Sequence, residues 1–338
     1  MLKTATALLG AAAMLGTTAM APATASGDDP GTITLRPAKL TRGAPTPVLH
    51  GERTTIVDGK TRIRVPVDGD MEVLGRSGRA YVVSVTGPDE NWQLLRVTRS
   101  GDVRLLRKGT DYVGPQLSLD GRAVATAHQG QGTTRVRVIR ARTGELIRSR
   151  TFRGYVGIGD YGVHRMVLTE WDNQRSRTFW WNPSTNQTRR ISGHPAYVVD
   201  VAANRLGLMT KDTPERLCQK VVPLTATSTT LWRSCHYRAL EFSPNGHRMI
   251  TSHILADGPG PLVVQVRGSH GRLQASYRSQ LFGSLTWENR RSVLLETAGR
   301  KYAAAVRCTA GSGCERVSRL RRVGRFDPFA RLAWSFPR

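Results

Sequence analysis

Between residues 135 and 140 the chain reads RVRVIR, basic and branched apolar residues alternating as far as Val138. That period of two is the signature of a half-buried antiparallel strand. Short apolar runs of this kind recur along the whole chain, separated by Asp-Gly, Asn-Gly and other Gly-rich turns, and beyond the first 25 residues no segment keeps a helical period with caps. In seven places an apolar approach, a turn and a second apolar run follow one another: 71–85, 116–127, 157–170, 198–210, 240–253, 285–297 and 325–336. One residue of each second run serves as a marker: Val82, Val124, Val167, Leu208, Ile250, Leu294 and Ala333. The steps between them are 42, 43, 41, 42, 44 and 39 residues. Such regularity is an internal repeat.

Each unit reads as four short strands; in the second they fall around 116–119, 123–127, 135–140 and 146–152. One small sheet cannot bury both of its faces, so the units must pack face to face around an axis. The seventh unit, at 325–336, holds only two strands, and ERTTIVDGKTRIRVPV (52–67), ahead of the first unit, supplies the missing outer pair. Residues 52–337 then divide into seven units of about 41 residues each. The expected fold is all-β: a seven-bladed β-propeller of four-stranded antiparallel blades, the last closed by N- and C-terminal strands. Residues 1–25 read as a signal peptide, 26–51 as an N-terminal arm packed on the ring, and 52–338 as the propeller.

The repeat turns carry a resemblance. S-L-D-G-R (118–122) and F-S-P-N-G-H (242–247), each followed by an apolar run, resemble the S-P-D-G turns of WD40-like and TolB-like propellers. The chain as a whole resembles uncharacterised, secreted propeller proteins of actinobacteria. The resemblance implies the fold and export, and it favours a binding module over an enzyme.

The first residues support export independently. Lys3 precedes an apolar stretch from Ala5 to Met20, and Ala23-Thr24-Ala25 offers a small-x-small cleavage pattern. Sixteen small, weakly apolar residues fall short of the ~20 needed to span a bilayer. No transmembrane segment is therefore expected in the mature chain, which is expected outside the cell, free or wall-associated after cleavage near Ala25. Four cysteines agree with an oxidising compartment. The local pairing Cys218–Cys235 and Cys308–Cys314 is the simplest, each bridge stapling an outer hairpin of a unit. Neither pair has CxxC spacing and no HExxH is present, so no metal and no cofactor are expected.

Charge adds a hint about partners. Of 338 residues, 50 are Lys or Arg and 25 Asp or Glu, a net charge of +25, and 43 of the cations are Arg. They alternate with apolar residues on strands, so the charge should spread over blade flanks and draw polyanions in a salt-sensitive way. No nucleic-acid reader motif is present, and no specific nucleic-acid partner is expected. No G-x-S-x-G elbow or triad pattern appears, and no catalytic residue is assigned. A large apolar or aromatic residue, however, recurs 11 to 13 positions before the marker: Met71, Tyr112, Tyr155, Tyr197, Tyr237 and Phe282. These open the innermost strands and either pack against the next blade or ring the channel mouth. With Trp171, His194 and His236 in nearby loops, the binding candidates are Tyr112, Tyr155, Trp171, His194, Tyr197, His236 and Tyr237. The reading is a monomeric, exported, non-enzymatic module that recognises a protein or an anionic envelope polymer at one propeller face. The alternatives are a secreted propeller enzyme acting on a polysaccharide or ester, with acids such as Asp111, Asp160, Asp172, Asp200 and Glu241, and a purely structural envelope protein.

Overall fold

A computed structural model describes residues 31–88, 91–109, 114–171, 176–213, 216–256, 260–323 and 334–337. The leader, Tyr112 and the marker Ala333 lie outside them. Seven antiparallel sheets are arranged as blades around a central channel, the first strand of each innermost and the others stepping outward. Blade 1 is Asp70–Ser77, Ala80–Thr86, Trp92–Val97 and Val103–Gly109. Blade 2 is Gln116–Leu117, Ala123–Gly130, Thr133–Arg140 and Leu146–Arg153. Blade 3 is Tyr155–Tyr161, Met166–Trp171, Arg177–Trp181 and Thr188–Ser192. Blade 4 is Ala196–Asp200, Arg205–Thr213, Arg216–Pro223 and Trp232–Ser234. Blade 5 is Tyr237–Phe242, Arg248–His253, Val263–Gly268 and Leu273–Arg278, and blade 6 is Leu281–Trp287, Ser292–Ala298, Tyr302–Thr309 and Gly313–Arg316.

The core lies between blades, which is why one unit could not stand alone. Ala125, Val136 and Phe152 of blade 2 pack on Met166, Leu168 and Trp181 of blade 3. Phe152 meets the fully buried Trp181 edge-on, ring centroids 5.5 Å apart. Ile56 and Ile63 likewise pack on Val73, Tyr81 and Val83 across the seam where the ring closes. The two S-P-D-G-like turns share one construction. The Ser118 hydroxyl accepts from the backbone N–H of Ala123 and Ser243 from that of Arg248, each at 3.0 Å. Gly121 and Gly246 take left-handed φ of 69° and 67°, which L side chains rarely adopt.

Blade 7 closes the ring with both chain ends, but by a different division of strands from the expected two and two. Among the described residues the C-terminal side contributes Trp334–Ser335, innermost, and the N-terminal side contributes His50–Glu52, Thr55–Asp58 and Thr61–Arg64. His50 and Gly51, read as part of the arm, are thus the second strand of this blade. A tight turn at Arg53-Thr54 pairs that strand with Thr55–Asp58, and its free edge takes Ser335 and Trp334. Ahead of it the arm follows the outer rim. Thr32–Thr34 adds a parallel fifth strand to Leu273–Arg278 of blade 5, and Arg42 bridges Arg316 of blade 6. Exposed sheet edges are thereby covered.

Both expected disulfides are present, Cys218–Cys235 in blade 4 and Cys308–Cys314 in blade 6. In the loop-entropy account, closing loops of this size stabilises by about 2–3 kcal/mol each. No helix among the described residues is long and apolar enough to cross a membrane.

Candidate functional site

The innermost strands enclose a channel of about 850 Å³. Its described lining is mostly apolar, with Ile158, Val198, Leu240, Leu285 and Phe336, and carries four carboxylates: Glu72, Asp160, Asp200 and Glu241. No Lys, Arg or His is among the described lining residues, although the chain carries 50 Lys and Arg. Two glycines shape the wall. A Cβ on Gly159 would stand 2.6 Å from Val199 of blade 4, and one on Gly157 would stand 2.8 Å from the Trp171 ring. Glycine therefore lets blade 4 approach blade 3 and lets Trp171 lie across the innermost strand.

The acids brace the blades. Asp160 accepts backbone N–H bonds from Tyr161 at 2.7 Å and, across the blade boundary, from Val201 at 2.6 Å. Asp200 accepts from the N–H of Ala203 at 2.7 Å, and Thr286 of blade 6 donates to Glu241 of blade 5 at 2.7 Å. Burial pushes the Asp160 carboxyl up to about 6, with the Asp200 charge adding to the rise. Burial raises Asp200 as well.

A pH dependence follows from Asp160. The folded state keeps a proton there that the unfolded chain releases above about pH 4, so this group stabilises most at low pH. Its contribution, of order 3 kcal/mol, is lost as pH rises through 6. Glu52 acts in the opposite sense. The His50 ring and then Arg62 hydrogen-bond its carboxylate and hold it at about 2, so its contribution is present above pH 4.5 and lost on acidification. Asp160→Asn is expected to flatten the fall in melting temperature between pH 4 and 6, leaving a residual slope from Asp200. It should also lower stability by about 1–3 kcal/mol, because one amide oxygen cannot serve both backbone donors. Thermal melts of both proteins across that range check the sign.

The predicted binding residues divide. Tyr155 and Trp171 are cross-strand partners, each 36% exposed, with ring centroids 5.4 Å apart. Trp171 and the half-buried Tyr197 line the channel itself. The Arg238 guanidinium sits over the Tyr197 ring at 5.0 Å, tethered by a bond to the Ala256 carbonyl. Tyr237 opens the next innermost strand but packs beside the channel, between His253 and the Arg267 guanidinium at 4.5 Å. His194 is half-buried, its carbonyl accepting the Thr178 hydroxyl, and burial followed by Lys220 lowers its pKa. His236 is exposed and engages its neighbours through its backbone. Neither histidine lines the channel. The equivalent Met71 and Phe282 are buried packing residues. The structure thus sets Tyr155 against Trp171 and puts Trp171 and Tyr197 on one channel lining, with Arg238 over Tyr197 as the partner that sequence reasoning missed.

Charge departs from the expected even spread. Part of it does lie on flanks, where Arg148 and Arg150 of blade 2 bond to the carbonyls of Pro183 and Asn186 in the outer turn of blade 3. Six cations, however, converge on a second cavity of about 840 Å³ at the seam of blades 6 and 7: Arg42, Arg53, Lys60, Arg62, Arg319 and Arg321.

No family model matches the sequence, and no curated protein matches it. Solved structures do. The β-propeller domain of the Trilobed protease from Pyrococcus furiosus is similar with a TM-score of 0.58 at 8% identity, covering 81% of this chain and 88% of that one. Oligogalacturonate lyase from Vibrio parahaemolyticus is similar with a TM-score of 0.55 at 9% identity, over 78% of this chain and 89% of the lyase. TolB from Acinetobacter baumannii has a TM-score of 0.48 at 12% identity, over 70% of this chain and 63% of TolB. The likeness is one of fold. The lyase and the protease domain differ in activity, so a shared fold at 8–9% identity leaves the activity of this chain open.

Proposed function

We propose that this protein is an exported binding module that holds a segment of a protein partner at the aromatic mouth of its central channel, without covalent chemistry. The observation that carries the reading is that part-exposed Trp171 and Tyr197 line a channel of about 850 Å³, with part-exposed Tyr155 against Trp171. Tyr and Trp combine large contact area with a polar tip and dominate binding energetics where they are exposed together. Carboxylates deeper in the channel suit a segment bearing a cationic side chain, which the rings would also attract through their faces. The two disulfides and the leader-like first 25 residues support export.

The test is capture from envelope extract, at low and high salt, by the wild-type protein and by Trp171→Ala/Tyr197→Ala. A partner that survives high salt on the wild type and is lost by about 30-fold or more on the variant supports the reading. Equal retention by both would overturn it. A second reading, hydrolysis by Asp160 and Asp200, draws on their raised pKa values. Against it, both Asp160 oxygens are engaged by backbone N–H groups, which suits a brace better than an acid catalyst.

A further inference from the structure

We propose that the seam cleft between blades 6 and 7 is a binding site for a phosphate-rich polyanion, separate from the channel mouth. Of its six cations, Arg62 pairs with Glu52 at 2.5 Å and Arg321 with Glu296 at 3.2 Å. No acid among the described residues pairs with Arg42, Arg53, Lys60 or Arg319. Four uncompensated cations therefore surround one cavity. The guanidinium of Arg321 adds a specific vacancy in its hydrogen bonding: its buried Nη1 has no acceptor. Burial lowers the pKa of Arg321, Glu296 and Glu52 offset part of that fall, and the neighbouring charge of Arg53 adds to it. A multivalent oxyanion would relieve the repulsion among the exposed cations of the cleft, and phosphate suits the forked guanidinium geometry.

Arg53 supplies an independent observation. It occupies the left-handed region, with φ of 52°, in the tight turn between His50–Glu52 and Thr55–Asp58. The other non-glycine residues with positive φ among those described are Asn186 and Asn204, and asparagine tolerates that conformation. An arginine there costs about 1 kcal/mol that glycine would not. The fold gains nothing from it, whereas the cleft gains a cation. Strain at such a position points to use of the side chain.

The experiment is calorimetric titration of the full chain with inorganic tripolyphosphate at fixed ionic strength. Arg53→Gly/Lys60→Gln/Arg319→Gln, which changes only exposed residues, is expected to weaken binding about tenfold or more. Arg135→Gln/Arg189→Gln/Arg190→Gln removes the same charge from blades 2 and 3 and is expected to weaken it less than about twofold. Equal losses, or no binding by the wild type, would show diffuse attraction only and overturn the site. Tighter binding of trigalacturonate than of tripolyphosphate would overturn the phosphate assignment. Arg53→Gly alone should hold or raise the ligand-free melting temperature while weakening binding; a lower melting temperature with unchanged affinity counts against the proposal. Trp171→Ala/Tyr197→Ala should leave this titration unchanged, so the channel reading and the seam reading fail separately.

Discussion

Trp334→Ala is expected to lower stability by about 3–5 kcal/mol, the cost of truncating a large buried aromatic, and to loosen ring closure. Trp334 is only 9% exposed and stacks on the buried His50 ring, centroids 4.1 Å apart and planes within 11°. Phe336 packs beside it at 5.6 Å. Its backbone ties blade 7 to blade 6. The Trp334 N–H donates to Glu296 of blade 6, its carbonyl accepts the Ser284 hydroxyl, and Trp334 pairs with Glu52. The next residue, Ser335, accepts from the Val73 N–H of blade 1 and donates to the Met71 carbonyl. Gly51 makes this possible, since a Cβ there would stand 2.4 Å from the Ser335 oxygen. Denaturant unfolding measures the loss, and limited proteolysis of the N-terminal arm reports the opening. Trp334→Phe should retain most of the stability, because a ring still meets His50. If Trp334→Ala costs less than about 1 kcal/mol, the two-residue strand is not what closes the ring.

Arg321→Met is expected to cost about 3–5 kcal/mol, more than its partial exposure suggests, because it strands a charge. Glu296 is fully buried on the second strand of blade 6, and the Arg321 guanidinium lies 3.2 Å from its carboxylate. Removing the cation takes its compensating charge from a fully buried carboxylate. The double variant Arg321→Met/Glu296→Gln should recover more than half of the loss: the neutral amide no longer needs a cation and still accepts from the Trp334 N–H. A double variant as unstable as Arg321→Met alone would show that the methionine fails to pack and that the ion pair is incidental. Urea unfolding of the cycle of variants separates the two cases.

The fold was legible because it repeats. Each blade needs two apolar faces and tight turns at nearly constant spacing, so alternation such as RVRVIR and turns such as S-L-D-G-R write the architecture into the chain many times over. The disulfides were legible for a related reason: both join strands of one blade, neighbours in sequence as well as in space. The division of strands in blade 7 was not. His50–Glu52 and Trp334–Ser335 are three and two residues long, too short for alternation to show, and their pairing spans nearly the whole chain. Glu296 left only a faint mark, one acid inside the apolar run SVLLETA.

The channel mouth was half legible. Spacing located the position that opens each innermost strand, but it could not say that Met71 and Phe282 would be buried while Tyr155 and Tyr197 kept exposed surface. That depends on the neighbouring blade, and at blade 3 on Gly157, which lets Trp171 lie across the strand. By itself, the amino-acid sequence determined the strand period, the number of blades and the local crosslinks, because each arises from residues within one unit. Tertiary structure alone decided which side chains meet across units: the carboxylates of the channel, the buried ion pair and the basic seam. Residues 42–62 and 319–321 become neighbours only when the ring closes, and no local pattern encodes a contact whose partners are some 260 positions apart.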